Sequence, residues 1–238
     1  MRHYGIIGCP LEHSLSAKIF NEQFAREGID AEYSLYEVKA LTRERMQDLM
    51  NTLDGFNVTY PYKEAIIPFL DRLDETAQAI GAVNVVHQRV GYNTDCLGFT
   101  ASIKPLLRAE DRKALVLGTG GASKAVCYAL RQLGIVPTLV SRHPQAGMLG
   151  YEALDADVLA AHTILVNCTP LGMWPNTQTC PDIPYETLSA QHLLYDCVYN
   201  PEETLFLRKG REHGARIING MEMLTGQAKE AWKIWNNE

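Results

Sequence analysis

The sequence predicts an α/β protein built as two successive domains. Short apolar segments of the kind that form buried strands alternate with helical segments along most of the 238 residues. A glycine-rich turn, GTGGAS at 118–123, lies between one such strand and a helix, which is typical of a dinucleotide-binding unit. The chain is long for one domain and sufficient for two small ones.

The first hundred residues contain the elements of an α/β domain with a mixed sheet. Strand-like alternation predicts strands over 4–8, 31–38 and 56–60, and a strand–turn–strand unit over 81–95. Helical periodicity predicts helices over 16–27, 42–53, 63–70 and 74–80. Ser16 is the expected cap of the first of these helices, and Gly28 is expected to end it.

The remaining residues predict a second domain with a parallel sheet. A connecting helix is predicted over 97–107. Buried strands are then predicted at 114–117, in a segment that ends at Val140, at 151–154, within HTILVNCTP (162–170), within HLLYDCVY (192–199) and at 216–218. Gly134 and Gly214 are expected to end two helices, and 221–235 is a final amphipathic helix. HPQAGMLG, at 143–150, is too short and too rich in Gly and Pro for a crossover helix, so we expect a loop there.

Composition and charge exclude several classes of protein. The net charge is −6 and the basic residues are scattered, which argues against nucleic-acid binding. No stretch of 18 apolar residues is present, and the apolar run in MRHYGIIGCP is too short for a signal peptide, so we expect no membrane span and a cytoplasmic location. The six cysteines show neither a C-x-x-C pattern nor zinc-ligand spacing, which predicts free thiols and no metal site.

The glycine turn has the features that a bound pyrophosphate requires. Gly118 permits a tight turn, Gly120 lets the backbone approach phosphate, and Gly121 with Ala122 keeps the helix close to the sheet. Backbone amides and the helix dipole would then attract the phosphates. Ser123 occupies the position of the third glycine, so a purely structural turn is the alternative interpretation.

The residues after the second strand of this unit indicate the kind of dinucleotide. NAD sites usually place a carboxylate here to bind the ribose 2′-hydroxyl. This chain has Ser141 and Arg142 followed by His143, and a guanidinium suits a 2′-phosphate. The pattern therefore favours NADP, with a solvated surface arginine as the alternative.

The segment GFNVTYPYKE, at 55–64, combines a strand with an unusual set of polar groups. Pro61 ends the strand, and Asn57, Thr59 and Lys63 bring an amide, a hydroxyl and an ammonium into one short piece of chain. Taken alone, the pattern leaves its ligand open.

Taken together, the motifs resemble those of the shikimate/quinate dehydrogenase family. GCPLEHSLS, GFNVTYPYK, GAVNVV, GYNTDCLGF, GTGGASKA, NCTPLGM, YDCVYNP and NGMEMLTGQA occur in the family's order along nearly the whole chain. The resemblance implies an N-terminal substrate domain at 1–100, a C-terminal NADP-binding Rossmann domain at 101–220, and a cleft between them. It also implies that the helix at 221–238 packs back on the first domain.

The resemblance also implies a role for individual residues. Lys63 and Asp95 match the catalytic pair, which would share the proton of the reacting alcohol; the sequence leaves open which of them accepts it. An ion pair with only a structural role is the alternative. The implied substrate ligands are Ser14, Ser16, Asn57, Thr59, Asn84, Tyr199 and Gln227. The implied cofactor ligands are Gly118, Thr119, Gly120, Gly121, Ala122, Ser141, Arg142, Asn167, Thr169, Met173, Gly220 and Met223.

The expected activity is the reversible NADP-dependent reduction of 3-dehydroshikimate to shikimate by a monomer or a homodimer. The chain departs from the family at the adenosine end, where Ala146 occupies a position that is often basic. We therefore expect NADP to be preferred by a reduced margin, with NAD as a weaker alternative. The competing hypotheses are a quinate/shikimate dehydrogenase with relaxed cofactor use and a non-catalytic, cofactor-binding paralogue.

Overall fold

The computed structural model describes residues 1–12 and 14–237, which divide into two units. Unit 1 comprises Met1–Gly98 and Thr225–Glu238, and unit 2 comprises Phe99–Leu224. The unit boundaries fall inside two helices of the chain, Asp95–Ile103 (α4) and Met221–Trp235 (α8).

Unit 1 contains a six-stranded mixed sheet, as the sequence predicts. Its strands are β1 (Arg2–Gly8), β2 (Ala31–Glu37), β3 (Gly55–Val58), β4 (Arg72–Leu73), β5 (Val85–His87) and β6 (Val90–Tyr92). They lie in the order β2-β1-β3-β5-β6-β4. Strand β1 is parallel to both of its neighbours, whereas β5 is antiparallel to β3 and to β6.

Three further helices of unit 1 lie close to the bounds that the sequence predicts. They are α1 (Ser16–Glu27), α2 (Arg43–Thr52) and α3 (Glu75–Ile80). Gly28 ends α1 with a φ of 66°, in the left-handed region that favours glycine. Side-chain oxygens of Thr42 and Asp74 accept amide hydrogens at the starts of α2 and α3.

The sheet of unit 1 is buried on both faces because successive side chains of a strand point to opposite sides. On β1, Ile6 packs with Tyr4 and Phe20, whereas Ile7 packs with Phe56 on the other face. Trp235, near the end of α8, stacks on Tyr4 at 4.8 Å between ring centroids. Its indole nitrogen also donates a hydrogen bond to the carbonyl of Val86, on β5, at 3.2 Å.

Unit 2 contains a six-stranded, fully parallel sheet. Its strands are β7 (Lys113–Leu117), β8 (Val136–Ser141), β9 (Leu149–Gly150), β10 (Ile164–Asn167), β11 (Leu193–Asp196) and β12 (Arg216–Ile218). Their order, β12-β11-β10-β7-β8-β9, is that of the Rossmann fold, with the reversal of strand order between β7 and β10. The helices α5 (Gly121–Gln132), α6 (Ala156–Ala161) and α7 (Leu205–Glu212) complete the unit, and Phe206 and Leu159 pack against the sheet.

The connection from β8 to β9 is a loop, as the sequence predicts. Residues 142–148, all of which the structure describes, contain no helix, and 142–147 are exposed. The predicted strand at 151–154 is wrong, because Tyr151–Ala153 form a 3₁₀ turn and the strand lies two residues earlier. Strand β8 ends at Ser141, which pairs with Gly150, so a longer β9 would have no partner to pair with.

Three other local predictions require correction. The helix predicted at 63–70 is a series of turns ending in a 3₁₀ helix, Ile67–Phe69, because Pro68 lacks an amide hydrogen and clashes with an α-helical backbone. Ser16 is the first residue of α1 and not its cap, and the N-cap is Leu15. Helix α4 begins at Asp95 and not at residue 97; the Asn93 side chain accepts the Cys96 amide hydrogen at 3.4 Å.

The remaining global predictions concern membranes, thiols and metals. Among residues 1–12 and 14–237, no helix combines the length and apolarity needed to cross a bilayer. All six cysteines are free thiols and are buried or half-buried, which confirms the prediction for them. In the same part of the chain, no three His, Cys, Asp or Glu side chains are grouped so that they could hold a metal ion.

Candidate active site

A lysine–aspartate ion pair lies at the end of β3 in unit 1. The Nζ atom of Lys63 is 2.5 Å from Oδ2 of Asp95, and the two side chains are 17% and 7% exposed. The carbonyl of Lys63 accepts the amide hydrogen of Val83 at 2.7 Å, which ties the turn after β3 to the segment leading into β5. The backbone therefore holds the lysine beside the strand that carries its polar neighbours.

The carboxylate of the pair is oriented from two sides. Asp95 is the first residue of α4, where the helix dipole favours a negative charge. Its second oxygen, Oδ1, accepts a hydrogen bond from the side-chain amide of Asn84 at 2.9 Å. Asn84 is fixed in turn by Thr94, whose backbone amide donates to its Oδ1 at 2.7 Å. Both oxygens of Asp95 are thus engaged by side chains.

The side-chain amide of Asn84 also connects the lysine–aspartate pair to the C-terminal helix, α8. Nδ2 of Asn84 lies 3.3 Å from Oε1 of Gln227, which is buried on α8. A Cβ atom on Gly226 would lie 3.1 Å from the Cα atom of Gly98, so α8 approaches α4 very closely here. This close approach brings the amide of Gln227 to Asn84.

A second branch of hydrogen bonds runs from Asn84 to β2. The side-chain amide of Asn57 donates to the carbonyl of Asn84 at 3.2 Å, and its Oδ1 accepts from the hydroxyl of Tyr33 at 2.7 Å. Ser16 acts on the same hydroxyl in the direction that lowers its pKa. Burial raises the pKa of Tyr33 well above its usual value, so the phenol keeps its proton and can donate to Asn57.

The sequence does not indicate this role for Tyr33. It lies in an alternating strand, where an aromatic residue is normally part of the core. Among the described residues, the predicted substrate ligands Ser14 and Thr59 form no direct hydrogen bond with the ion pair. Oγ of Ser14 accepts the Ser16 amide hydrogen at 3.4 Å. Tyr199, another predicted ligand, lies after β11 in unit 2.

The glycine turn of unit 2 lies at the point where the strand order reverses. Gly118 follows β7 with a φ of 106°, a conformation that side chains rarely adopt. A Cβ atom at Gly118 would lie 3.1 Å from the methyl group of Thr169, in the loop after β10. The two predicted cofactor-binding loops therefore meet beside the carboxyl ends of β7 and β10, where Rossmann proteins bind ligands.

The start of α5 has the form of an anion site. Gly120 is its N-cap and supplies no side chain, so no side-chain oxygen caps the first amides. Space around Gly120 is open, since a Cβ atom there would meet nothing within 4 Å. Ser123, at the third-glycine position, is buried with its hydroxyl donating to the carbonyl of Gly120 at 2.6 Å. The serine therefore stabilises the turn.

The predicted adenosine end is exposed. Ser141 ends β8, and its Oγ accepts the His143 amide hydrogen at 3.1 Å. Arg142 is exposed, and its charge acts to lower the pKa of Tyr151, although burial has the larger effect and raises it overall. The sequence does not predict this electrostatic effect of Arg142 on Tyr151.

The loop after β10 is held by a buried carboxyl group. Asn167 is fully buried, and its Nδ2 donates to Oδ1 of Asp196 at 3.0 Å, while its own Oδ1 accepts the amide and hydroxyl hydrogens of Thr169. Asp196 also accepts from the hydroxyl of Thr204 at 2.5 Å and from the amide of Val198 at 3.0 Å. Burial nevertheless raises the pKa of Asp196 to about 7.

The last predicted cofactor ligands lie in this loop, just before α8 and in the first turn of α8. Met173 is exposed, and Met223 is buried. Gly220 packs against the backbone, since a Cβ atom there would lie 2.3 Å from the carbonyl oxygen of Cys197. A separate cavity of about 420 Å³ in unit 2, lined by Cys180, Tyr185 and Lys209 among others, contains none of the predicted residues.

The fold and these two groups of residues define a class of protein: a two-unit α/β protein that combines a Rossmann sheet of the dinucleotide-binding type with a partly buried lysine–aspartate pair. Residues 6–86 match the sequence model of the shikimate dehydrogenase substrate binding domain. The chain is 37% identical to the shikimate dehydrogenase (NADP(+)) of Symbiobacterium thermophilum, over 98% of this chain and 88% of that protein. The chain therefore belongs to the shikimate dehydrogenase family.

Solved structures agree over the full length. The crystal structure of shikimate dehydrogenase from Aquifex aeolicus is similar, with a TM-score of 0.90 and 34% identity over 100% of this chain and 93% of that one. The Thermus thermophilus enzyme in complex with NADP(H) and shikimate has a TM-score of 0.89 and 29% identity, over 100% and 94%. The fold predicted from the sequence is thus confirmed by experimentally solved relatives.

Proposed function

We propose that the protein is an NADP-dependent shikimate dehydrogenase, which reversibly reduces 3-dehydroshikimate to shikimate in aromatic amino acid biosynthesis. The observation that carries this proposal is the short Lys63–Asp95 pair, joined through Asn84 to Gln227, in the unit whose sequence matches the family's substrate-binding domain. The similar Symbiobacterium protein bears the name of this activity.

The lysine–aspartate pair handles the proton of the reacting alcohol. When the alcohol is oxidised, its hydroxyl proton passes to the pair, and the ammonium of Lys63 stabilises the negative charge that develops on oxygen. In the reverse direction the pair returns the proton to the carbonyl oxygen. Because the two groups are in contact, we assign this role to the pair and not to either residue alone.

Neutral donors and acceptors around the pair suit a polyhydroxylated ring. The amides of Asn57, Asn84 and Gln227 are already oriented by the network described above. A site built from such groups rejects analogues that lack the hydroxyls, because its polar atoms would be left unpaired. We assign substrate binding to Ser14, Ser16, Asn57, Thr59, Asn84, Tyr199 and Gln227.

The residues of unit 2 fit NADP. The uncapped start of α5 and the open space at Gly120 suit a pyrophosphate, and the exposed Arg142 suits a 2′-phosphate. The chemistry that NADP supplies is the transfer of a hydride at its nicotinamide ring. Asn167 and Thr169, with Met173 and Gly220, would position that ring.

The decisive experiment is the oxidation of shikimate by the purified protein, followed as NADPH absorbance, together with a Lys63→Ala variant. We expect activity in the wild type and a loss of at least about a hundredfold in kcat for the variant, as is usual for general acid–base groups. Lys18→Ala is the matched control, because Lys18 lies exposed on α1 in an ordinary i,i+4 ion pair. An active Lys63→Ala variant would contradict the assigned role, and an inactive wild type would favour the non-catalytic paralogue.

A second variant separates cofactor binding from folding. In Gly120→Ala the added methyl group meets no neighbour, and the φ of −81° suits any residue, so the free energy of unfolding should not fall. The same methyl group would occupy the space that a pyrophosphate needs. We expect an unchanged melting temperature with a raised KM for NADP; an unchanged KM would refute the phosphate site.

One rival activity is favoured by a specific observation. Arg142 lies exposed, and no basic residue is present at position 146. We therefore expect a 2′-phosphate to be bound less tightly than by relatives with two basic residues. A quinate/shikimate dehydrogenase with relaxed cofactor use would have this feature. Kinetics with shikimate and quinate, each with NADP and NAD, distinguishes the two proposals; equal efficiency with NAD would refute the preference for NADP.

The proposal also includes a cytoplasmic location and a monomeric or homodimeric state. Six free thiols are consistent with a reducing compartment. Cell fractionation and light scattering on the purified protein test these two points.

A further inference from the structure

Two cysteines face each other at the carboxyl edge of the parallel sheet. Cys168 directly follows β10 and Cys197 directly follows β11, and their Sγ atoms are 3.7 Å apart. The preceding residues, Asn167 and Asp196, are partners in the register of these strands, so the two cysteines occupy the next pair of positions. The thiols therefore oppose each other across neighbouring strands.

The backbone geometry at this position allows the two sulfurs to be joined. Neighbouring strands lie about 4.8 Å apart, which is within the span of roughly 4.4–6.8 Å between the Cα atoms of disulfide-bonded cysteines. The amide of Cys197 donates to the carbonyl of Asn167 at 2.9 Å, so the two backbones remain paired here. Both cysteines are half-buried residues.

We propose that Cys168 and Cys197 form a redox-sensitive dithiol, which a small disulfide such as oxidised glutathione converts reversibly into an intramolecular disulfide. Neither cysteine belongs to the proposed catalytic or ligand-binding groups. The expected effect on activity rests on the proposed function. The formation of the disulfide does not, because peptide mapping detects it without an activity assay.

The chemistry proceeds by thiol–disulfide exchange. One cysteine attacks oxidised glutathione, which forms a mixed disulfide and releases one molecule of glutathione. The second cysteine then attacks that mixed disulfide and releases the second molecule of glutathione. The protein loses two electrons and two protons, and both appear in the two reduced glutathione molecules. The contact with Cys197, together with burial, raises the pKa of Cys168.

The bond would act on the loops that we assign to the nicotinamide. Joining the sulfurs shortens their separation from 3.7 Å to about 2.05 Å, which draws together the segments that follow β10 and β11. Cys168 lies between Asn167 and Thr169. The carbonyl of Cys197 packs so closely against Gly220 that a Cβ atom on this glycine would clash with it. We therefore expect the oxidised protein to bind NADP less well.

The test is oxidation of the full-length protein with oxidised glutathione, followed by peptide mapping without reduction. We expect one new peptide that joins Cys168 to Cys197, with a mass lower by two hydrogen atoms. Shikimate oxidation at a subsaturating NADP concentration should fall about tenfold, equivalent to roughly 1.4 kcal/mol, and dithiothreitol should restore it. Cys168→Ser and Cys197→Ser should each retain their activity under the same treatment.

Cys127 supplies the matched control. It is buried on α5 close enough to Cys168 to contribute to the pKa of that thiol, so Cys127→Ala tests whether a different pair is oxidised. We expect this variant to behave as the wild type does. Failure to find the Cys168–Cys197 peptide would overturn the proposal, as would a disulfide that leaves the KM for NADP unchanged. If the reduced protein has no dehydrogenase activity, the proposed function fails, and peptide mapping still decides whether the dithiol exists.

Discussion

Replacement of Asp196 by asparagine should change how the stability of the protein depends on pH. Asp196 is fully buried at the end of β11 and accepts hydrogen bonds from Asn167, Val198 and Thr204. An asparagine of the same shape can accept from the first two groups and donate to the hydroxyl of Thr204. Asp196→Asn therefore removes the titrating group and keeps the hydrogen bonds.

The magnitude follows from the raised pKa. Burial moves the pKa of Asp196 from 3.8 to about 7, a difference of three units, each equivalent to about 1.4 kcal/mol. Between these two values the folded protein binds a proton that the unfolded chain has released, so the free energy of unfolding falls as the pH rises. The loss is complete above about pH 7 and totals roughly 4 kcal/mol; about 2–3 kcal/mol of it falls between pH 5 and pH 8.

Urea unfolding of both proteins at a series of pH values measures this effect. The contributions of the other titrating groups cancel in the difference between the unfolding free energies of the wild type and Asp196→Asn. This difference should shift by about 2–3 kcal/mol in favour of the variant between pH 5 and pH 8. Asp157→Asn is the control, because Asp157 lies exposed in the first turn of α6 and its difference should stay nearly constant. Parallel pH curves for the wild type and Asp196→Asn would refute the reasoning.

Three further predictions concern packing, cofactor choice and mobility. Gly55→Ala should lower the free energy of unfolding by about 1–3 kcal/mol in urea titrations, because its Cβ atom would lie 2.3 Å from the buried indole of Trp235; an unchanged value would contradict this packing. Arg142→Ala should weaken NADP binding about tenfold in titrations and leave NAD binding unaffected. The control is Arg112→Ala, which removes an exposed arginine before β7 and should change the binding of neither dinucleotide. If Arg142→Ala binds NADP as the wild type does, Arg142 does not have its assigned role. Hydrogen exchange across 143–150 should be fast and should slow when NADP is added; exchange that NADP leaves unchanged would count against ordering of the loop.

Much of the fold follows from local signals in the sequence. Glycines that must adopt a positive φ, such as Gly28 and Gly214, end helices where they are predicted to. The loop over 143–150 is also predictable, because a crossover of this length cannot contain a helix. The prediction of an α-helix at 63–70 is wrong because Pro68 disfavours an α-helical backbone there. This proline is visible in the sequence, and its effect outweighs the helical periodicity.

The candidate site is less predictable because its geometry depends on contacts between distant segments. Lys63 and Asp95 are identified by their motifs, but the network of hydrogen bonds that orients Asn57 depends on Tyr33, which looks like an ordinary core residue. Ser16 has the sequence context of a helix cap, and only the folded chain brings it to the hydroxyl of Tyr33. The raised pKa of Asp196 likewise depends on burial, which composition and periodicity do not measure.

The loop between β8 and β9 has a consequence for how cofactor choice can evolve. The segment carries the only assigned contact for the 2′-phosphate, yet residues 142–147 are exposed and contribute nothing to the buried core. Substitutions, insertions or the gain of a helix there would alter selectivity between NADP and NAD at little cost in folding free energy. We therefore expect the preference for one dinucleotide to be open to selection and to laboratory redesign through this loop.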